Sequence, residues 1–124
     1  MDVSADAALR CGAVAWLHWR SHHPQPPDLS DTVLKGMNLR GMDLCGANLR
    51  RADLRDAKLI AARLIGANLA NAILDRADLA EANLEAIEIV TGSAIGADFR
   101  RARLCHANTI GSNFTDADLR GADL

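Results

Sequence analysis

Aromatic rings are almost absent from this sequence: it has no tyrosine, and Trp16, Trp19, Phe99 and Phe114 are the only other rings besides histidine. An interior this poor in rings must be filled by aliphatic repetition. Proline is confined to Pro24, Pro26 and Pro27, and the three cysteines, Cys11, Cys45 and Cys105, are an odd number far apart, which excludes a disulfide framework. No apolar run approaches the ~20 residues needed to cross a bilayer. The residues after Met1 include Asp2 and Asp6 where a signal peptide needs bases. Together these absences read as a cytoplasmic protein with no membrane partner. Excess charge of one sign is also missing, with 14 Lys and Arg against 16 Asp and Glu. That balance excludes the strong basicity of an electrostatic nucleic-acid binder and counts against direct nucleic-acid binding.

What the chain has is Ala and Leu, 23 and 17 of its 124 residues, and they are not scattered. From Met37 the sequence divides into 18 blocks of five, beginning MNLRG, MDLCG, ANLRR, ADLRD and ending ADLRG, ADL, with no slip of register. The third position is Leu in 13 of the 18 blocks, the first is Ala in 13, and the middle one is Asn or Asp in 12. A step of five advances an α-helix by about 140°, so a helix would smear the leucines around all its sides. Plain two-residue alternation fails because five is odd. The pattern fits three extended residues pointing in, out, in, followed by two that turn a corner. Seven of the nine glycines, Gly36, Gly41, Gly46, Gly66, Gly96, Gly111 and Gly121, stand at the fifth position, where a corner benefits from tolerance of positive φ. A chain that turns the same way every five residues coils into a solenoid whose turns pair as parallel strands.

Tandem A-[DN]-L-x-x blocks resemble the pentapeptide-repeat family, over Met37 to Leu124 and, through Leu29 and Leu34, from slightly earlier. The resemblance implies an all-β fold: a right-handed quadrilateral parallel β-helix, four repeats to a coil, with about five coils. Residues 28–124 form this β-helix and residues 1–27 an N-terminal helical cap with a Pro-rich lead-in. Ser4 is placed to cap a single helix, with Asp6 in its first turn and Leu9, Gly12, Ala13, Trp16 and Leu17 at helical spacing until the prolines. Leu9, Trp16 and Trp19 are the structural cap over the first coil. The Trp16 to Arg20 segment and the following Pro27-Asp28-Leu29-Ser30 resemble the lead-in of many bacterial members.

Stacking at 20-residue intervals predicts core columns such as 34, 54, 74, 94, 114 and 44, 64, 84, 104, 124. The weakest coil is IEIVTGSAIG, where Ala94 takes a Leu slot and Gly92 an Ala slot, and a bulge or cavity is expected there. The last coil is expected to stop open, through truncation, fraying or pairing of two copies. Pairing is the reading adopted, with Phe114, Leu119 and Leu124 as the self-association end and a homodimer as the result. Outward Ile73, Val90, Ile95 and Ile110 gather into a candidate surface for an unidentified protein partner.

The best-known activity that the resemblance implies is mimicry of duplex DNA by gyrase-protecting members, which needs acidic charge running along the rod. The one such column here is Asp78, Asp98, Asp118, and Arg100, Arg101 and Arg120 are expected beside it. Other charges fall in belts: net +4 over residues 35 to 63 and net −4 over 75 to 88. Cys45 and Cys105 share a column about 14 Å apart, Cys105-His106 sit at a corner and His22-His23 in the lead-in; they do not converge as metal ligands need. No serine, cysteine or histidine stands in a catalytic pattern, and no phosphate-binding loop is present. The chain therefore reads as a non-enzymatic interaction module or scaffold without cofactor or metal, and a DNA-mimicking inhibitor or protector of gyrase is the alternative.

Overall fold

The computed structural model describes residues 1–124. Two short helices, α1 (Val3–Arg10) and α2 (Ala13–His22), precede a ladder of 16 parallel β-bridges. Every bridge joins a residue to the one 20 positions on, from Asp28↔Asn48 to Arg103↔Asp123, so four repeats make one coil. A single residue of each repeat is paired in this way, and the chain between bridges is turn.

The corners explain the five-residue step. Every fifth position from Asp31 to Gly121 has a left-handed backbone, and in twelve of these corners the residue is not glycine. Glycine marked the corners in the sequence, but the ladder holds Asp, Arg, Ala, Glu, Asn, His and even the β-branched Thr91 (φ 53°) in the same conformation. Within a repeat, the central N–H donates to the coil above (Leu49 to the Asn68 carbonyl, 2.8 Å) and the middle N–H to the coil below (Asn48 to the Pro27 carbonyl, 2.9 Å). The corner N–H of Arg51 reaches the Ala70 carbonyl at 3.0 Å, and that of Ala52 closes the turn on Leu49 at 3.1 Å. Four of the five amides are thus satisfied by backbone. The fifth, on the fourth residue, is taken by the side chain two positions earlier: Asn48 Oδ1 accepts from Arg50 at 3.2 Å, Asn68 from Ala70 at 3.0 Å, Asp78 from Ala80 at 3.1 Å and Asp98 from Arg100 at 3.0 Å. The Asn/Asp preference is therefore a backbone requirement as well as an outward polar one.

Inside the coils, the first and third positions merge with Ala5, Leu9 and Trp16 of the cap into one cluster of 31 buried apolar residues. The central leucines from Leu29 to Leu84 are fully buried. In the IEIVTGSAIG coil the expected bulge or cavity is not found. Bridges run through it unbroken, from Ile73 to Ser93 to Asn113. The missing volume is supplied by neighbours: a Cβ on Gly92 would lie 2.9 Å from Ile89 Cγ2, and Phe99, fully buried, meets Phe114 at a centroid distance of 5.5 Å. Large and small residues have exchanged places between adjoining slots, which conserves volume.

The cap differs from the single helix expected. Asp2, not Ser4, is the N-cap: its carboxylate accepts from the amides of Ser4 (2.9 Å) and Ala5 (3.3 Å) and also from the Ser4 hydroxyl (2.8 Å). A charged acceptor suits the positive end of a helix better than a hydroxyl does. Gly12, with φ +99°, ends α1 and starts α2. The kink turns Leu17 out to solvent while Leu9 and Trp16 stay buried. Trp16 Nε1 donates to the Asp43 carbonyl at 2.8 Å, and the Asp2 amide to the Asp28 carbonyl at 2.8 Å, so the cap satisfies groups at the start of the ladder.

Candidate functional site

The outward surface of the coils is where the lattice of 20-residue steps decides which side chains meet. Val90 and Ile110 stand in one column with Ala70, fixed by the Asn71 amide on the Val90 carbonyl (2.9 Å) and the Thr91 amide on the Ile110 carbonyl (2.9 Å). Val90 is half-buried and Ile110 is 72 % exposed. Ile73 and Ile95, each 37 % exposed, lie beyond the next corner. Between them runs a polar diagonal: Ser93 Oγ donates to Asp75 Oδ1 at 2.5 Å, and the Ile95 amide donates to the same oxygen at 3.0 Å. The structure therefore stacks Val90 and Ile110 in one column, places Ile73 beyond the corner that follows Ala70, one coil from Ser93, and separates it from Ile95 by the Ser93–Asp75 bond.

At the last coil, Leu119 and Leu124 are exposed, Leu124 by 79 %, and they line an open apolar recess with Leu104, Ala107, Thr109 and Phe114. Phe114 is only partly available there, because one side of its ring is against Phe99. At the other end, Trp19 is half-buried, stacked on Trp16 (5.3 Å) and on His23 (4.1 Å), with its Nε1 on the Ser4 hydroxyl (3.2 Å).

Charge along the rod is paired rather than bare. Arg100 lies 2.6 Å from Asp98, Arg120 lies 2.6 Å from Asp118, and Arg100 also approaches Asp118 at 4.0 Å. The hydrogen bonds from Arg120 hold the Asp118 carboxyl down at about 2, and those from Arg100 lower Asp98 in the same way. Elsewhere arginines staple successive coils: Arg51 to Asp31 at 2.6 Å and Arg76 to Asp56 at 3.0 Å, each 20 residues apart. Of the acid column, Asp98 and Asp118 are thus neutralised by arginines two residues on.

The cysteines are free thiols. Burial first, then hydrogen bonding to Asp43, pushes the Cys45 thiol up, and the contact with Asp123 does the same for Cys105, so neither is activated as a nucleophile. No group of three or more His, Cys, Asp or Glu side chains converges. One feature the five-residue reading passed over is a groove on the outer side of the cap, between α1 and α2, lined by Ala8, Cys11, Val14, Ala15 and the rings of His18, Trp19, His22 and His23. The four-residue spacing of His18 and His22 was its signal in the sequence.

A family model described as pentapeptide repeats matches eight copies over residues 28–64, 52–86 and 97–124. Between residues 28 and 124, the ten residues it passes over, 87 to 96, are the IEIVTGSAIG segment. No curated protein matches the sequence. Among solved structures, the chain is similar to alr5209, a pentapeptide repeat protein from Nostoc PCC 7120, at 30% identity over 89% of this chain and 74% of that one, with a TM-score of 0.51. It is also similar to trypsin-treated QnrB1, a plasmid-mediated fluoroquinolone resistance protein, with a TM-score of 0.63 at 21% identity. That match covers 78% of this chain and 57% of the QnrB1 chain, and at this identity it shows a shared fold alone.

Proposed function

Since the chain belongs to the pentapeptide-repeat family, whose repeats build a solenoid and not a catalytic pocket, we propose that it is a non-enzymatic protein–protein interaction module, a right-handed four-sided rod acting in the cytoplasm. The observation that carries this reading is the Val90–Ile110 column, Val90 half-buried and Ile110 facing solvent, with Ile73 also partly exposed, on a rod whose other faces are dominated by ion pairs and hydrogen-bonded Asn and Asp. Exposed β-branched residues spoil no coil, yet several adjoining ones favour a partner that covers them. Affinity capture with the wild-type chain and with Val90→Glu and Ile110→Glu tests it. A partner held by the wild type and lost by both variants is expected; identical captured sets from all three would overturn the reading.

The exposed Leu119 and Leu124 support a contact between two copies through the last coil. Light scattering should then show a dimer that Leu119→Glu dissociates, and a monomer at every concentration would rule it out.

A second reading, interference with gyrase by DNA mimicry, is favoured by the fold likeness to a fluoroquinolone resistance protein and by the Asp78, Asp98, Asp118 column. The arginines on Asp98 and Asp118 weigh against it, because a phosphate mimic must keep its charge unpaired. A supercoiling assay with and without a fluoroquinolone separates the two readings: the interaction module leaves gyrase unaffected at micromolar concentration, and the mimic inhibits or protects it.

A further inference from the structure

The strongest unassigned chemistry lies on the cap. His18 and His22 are four residues apart on α2, so they share one face, and their rings stand with centroids 4.5 Å apart at an angle of 45°. Both are exposed and line the same groove. The end of α2 also decides which nitrogen His22, and likewise His23, offers. His22 Nδ1 lies 2.9 Å from the His18 carbonyl, and His23 Nδ1 lies 2.8 Å from the Trp19 carbonyl. A carbonyl oxygen only accepts, so Nδ1 carries the hydrogen in both rings, and in the neutral form the lone pair is on Nε2. Both acceptors lie in the last turn of α2; the His18 carbonyl also takes the Ser21 hydroxyl at 2.7 Å, and the Trp19 carbonyl is one of the last four of the helix, which have no amide partner inside it. A hydrogen bond from one ring nitrogen to a carbonyl is also the usual outer support of a metal-bound imidazole.

We propose that His18 and His22 form a two-imidazole site for a divalent transition ion of the nickel, copper or zinc class, with solvent completing the coordination. Imidazole nitrogens suit these ions and exclude calcium and magnesium, which need oxygen ligands. No third side chain completes a set of protein ligands. Affinity is therefore that of a chelate on a helix surface and not that of a closed structural site. Bridging two residues one turn apart, the ion clips the final turn of α2 just before Pro24. His23 is held out of the site by stacking on Trp19, with centroids 4.1 Å apart and rings 8° from parallel.

Titration of the full chain with Ni²⁺ tests this, because nickel does not oxidise the free thiols and its binding is read by calorimetry and by quenching of the tryptophans nearby. One equivalent should bind. His18→Asn and His22→Asn should each weaken binding at least about tenfold, since even outer-shell partners of a metal are worth that much. His23→Asn and Cys11→Ser should leave it within about twofold, and far-UV circular dichroism should show α2 intact in all four variants. Zn²⁺ should compete for the same equivalent and Mg²⁺ should not. Absence of saturable binding in the wild type, retention in both the His18 and His22 variants, or equal loss in Cys11→Ser would each overturn the site.

Discussion

Where the middle of a repeat is Asn or Asp, its side chain accounts for the one peptide N–H that the ladder does not use. Where Asn68 stands, its Oδ1 takes the Ala70 amide at 3.0 Å. Asn68→Ala keeps the coil's volume inside unchanged and removes only this acceptor. A neutral hydrogen bond of this kind is worth about 1 kcal/mol, so Asn68→Ala should lower the unfolding free energy by about that amount in a urea titration. The same change at Lys58, whose position supplies no such acceptor in this structure, should leave stability within about 0.5 kcal/mol. The outward direction of this position was legible from its polarity. Its bond to the backbone was not, because polarity alone does not separate a solvated side chain from a turn-closing one. Thr91 marks the same limit at the corners. Glycine suggested where positive φ falls, but nothing about a threonine announces that it takes φ 53°, which depends on the coils above and below it.

At the scale of the coil, position 92 separates a rule about the repeat from a rule about packing. Most repeats have Ala in this slot, so Gly92→Ala would restore the common residue. It should nevertheless destabilise the protein. The new Cβ would stand 2.9 Å from Ile89 Cγ2 and 3.1 Å from the Ala72 carbonyl oxygen, which is held in the ladder by the Ser93 amide at 3.0 Å. Overpacking of this sort costs about 1–3 kcal/mol. Shortening Ile89 to Val in the Gly92→Ala background should recover part of the loss, and a double-mutant cycle on unfolding free energies measures the coupling. Leu64→Ala, in a coil of ordinary repeats, is the contrasting case and should cost about 2–5 kcal/mol through a cavity. The sequence pattern singled out residues 87 to 96 as the departure from the repeat and led to the expectation of a bulge or cavity, which the structure does not show. Periodicity reports which slots are underfilled, whereas the compensation comes from side chains nearby, Ile89 against Gly92 and Phe99 against Phe114. The cap failed in a related way: apolar spacing continues through Gly12, and only its φ of +99° reveals two helices.

For the rod as a whole, the period of five and its resemblance made the solenoid and its buried columns legible, while the surface stayed largely hidden. Belts of charge were visible in the sequence. Which arginine meets which carboxylate depends on the 20-residue step, as for Arg51 with Asp31 and Arg76 with Asp56, or on side-chain direction within one turn, as for Arg120 with Asp118. Individually, such exposed pairs are worth little. Collectively they give the rod a defined response to acid. Hydrogen bonds from arginine hold the carboxyls of Asp31, Asp53, Asp56, Asp98 and Asp118 below their ordinary value of 3.8, Asp118 at about 2. A carboxylate whose folded value is depressed stabilises the fold above the unfolded value, and that contribution disappears as pH falls through the folded one, since the unfolded chain takes up the proton first. Urea midpoints should therefore be highest on the neutral side of pH 4 and should fall as pH drops from about 4 towards 2, with Asp118 among the last of these carboxylates to protonate. Arg120→Ala should move the Asp118 titration, followed by carboxyl carbon NMR, back towards 3.8. High salt should flatten the decline by screening the exposed pairs. A midpoint independent of pH across that window would mean that the arginine pairs seen along the rod do not persist in solution.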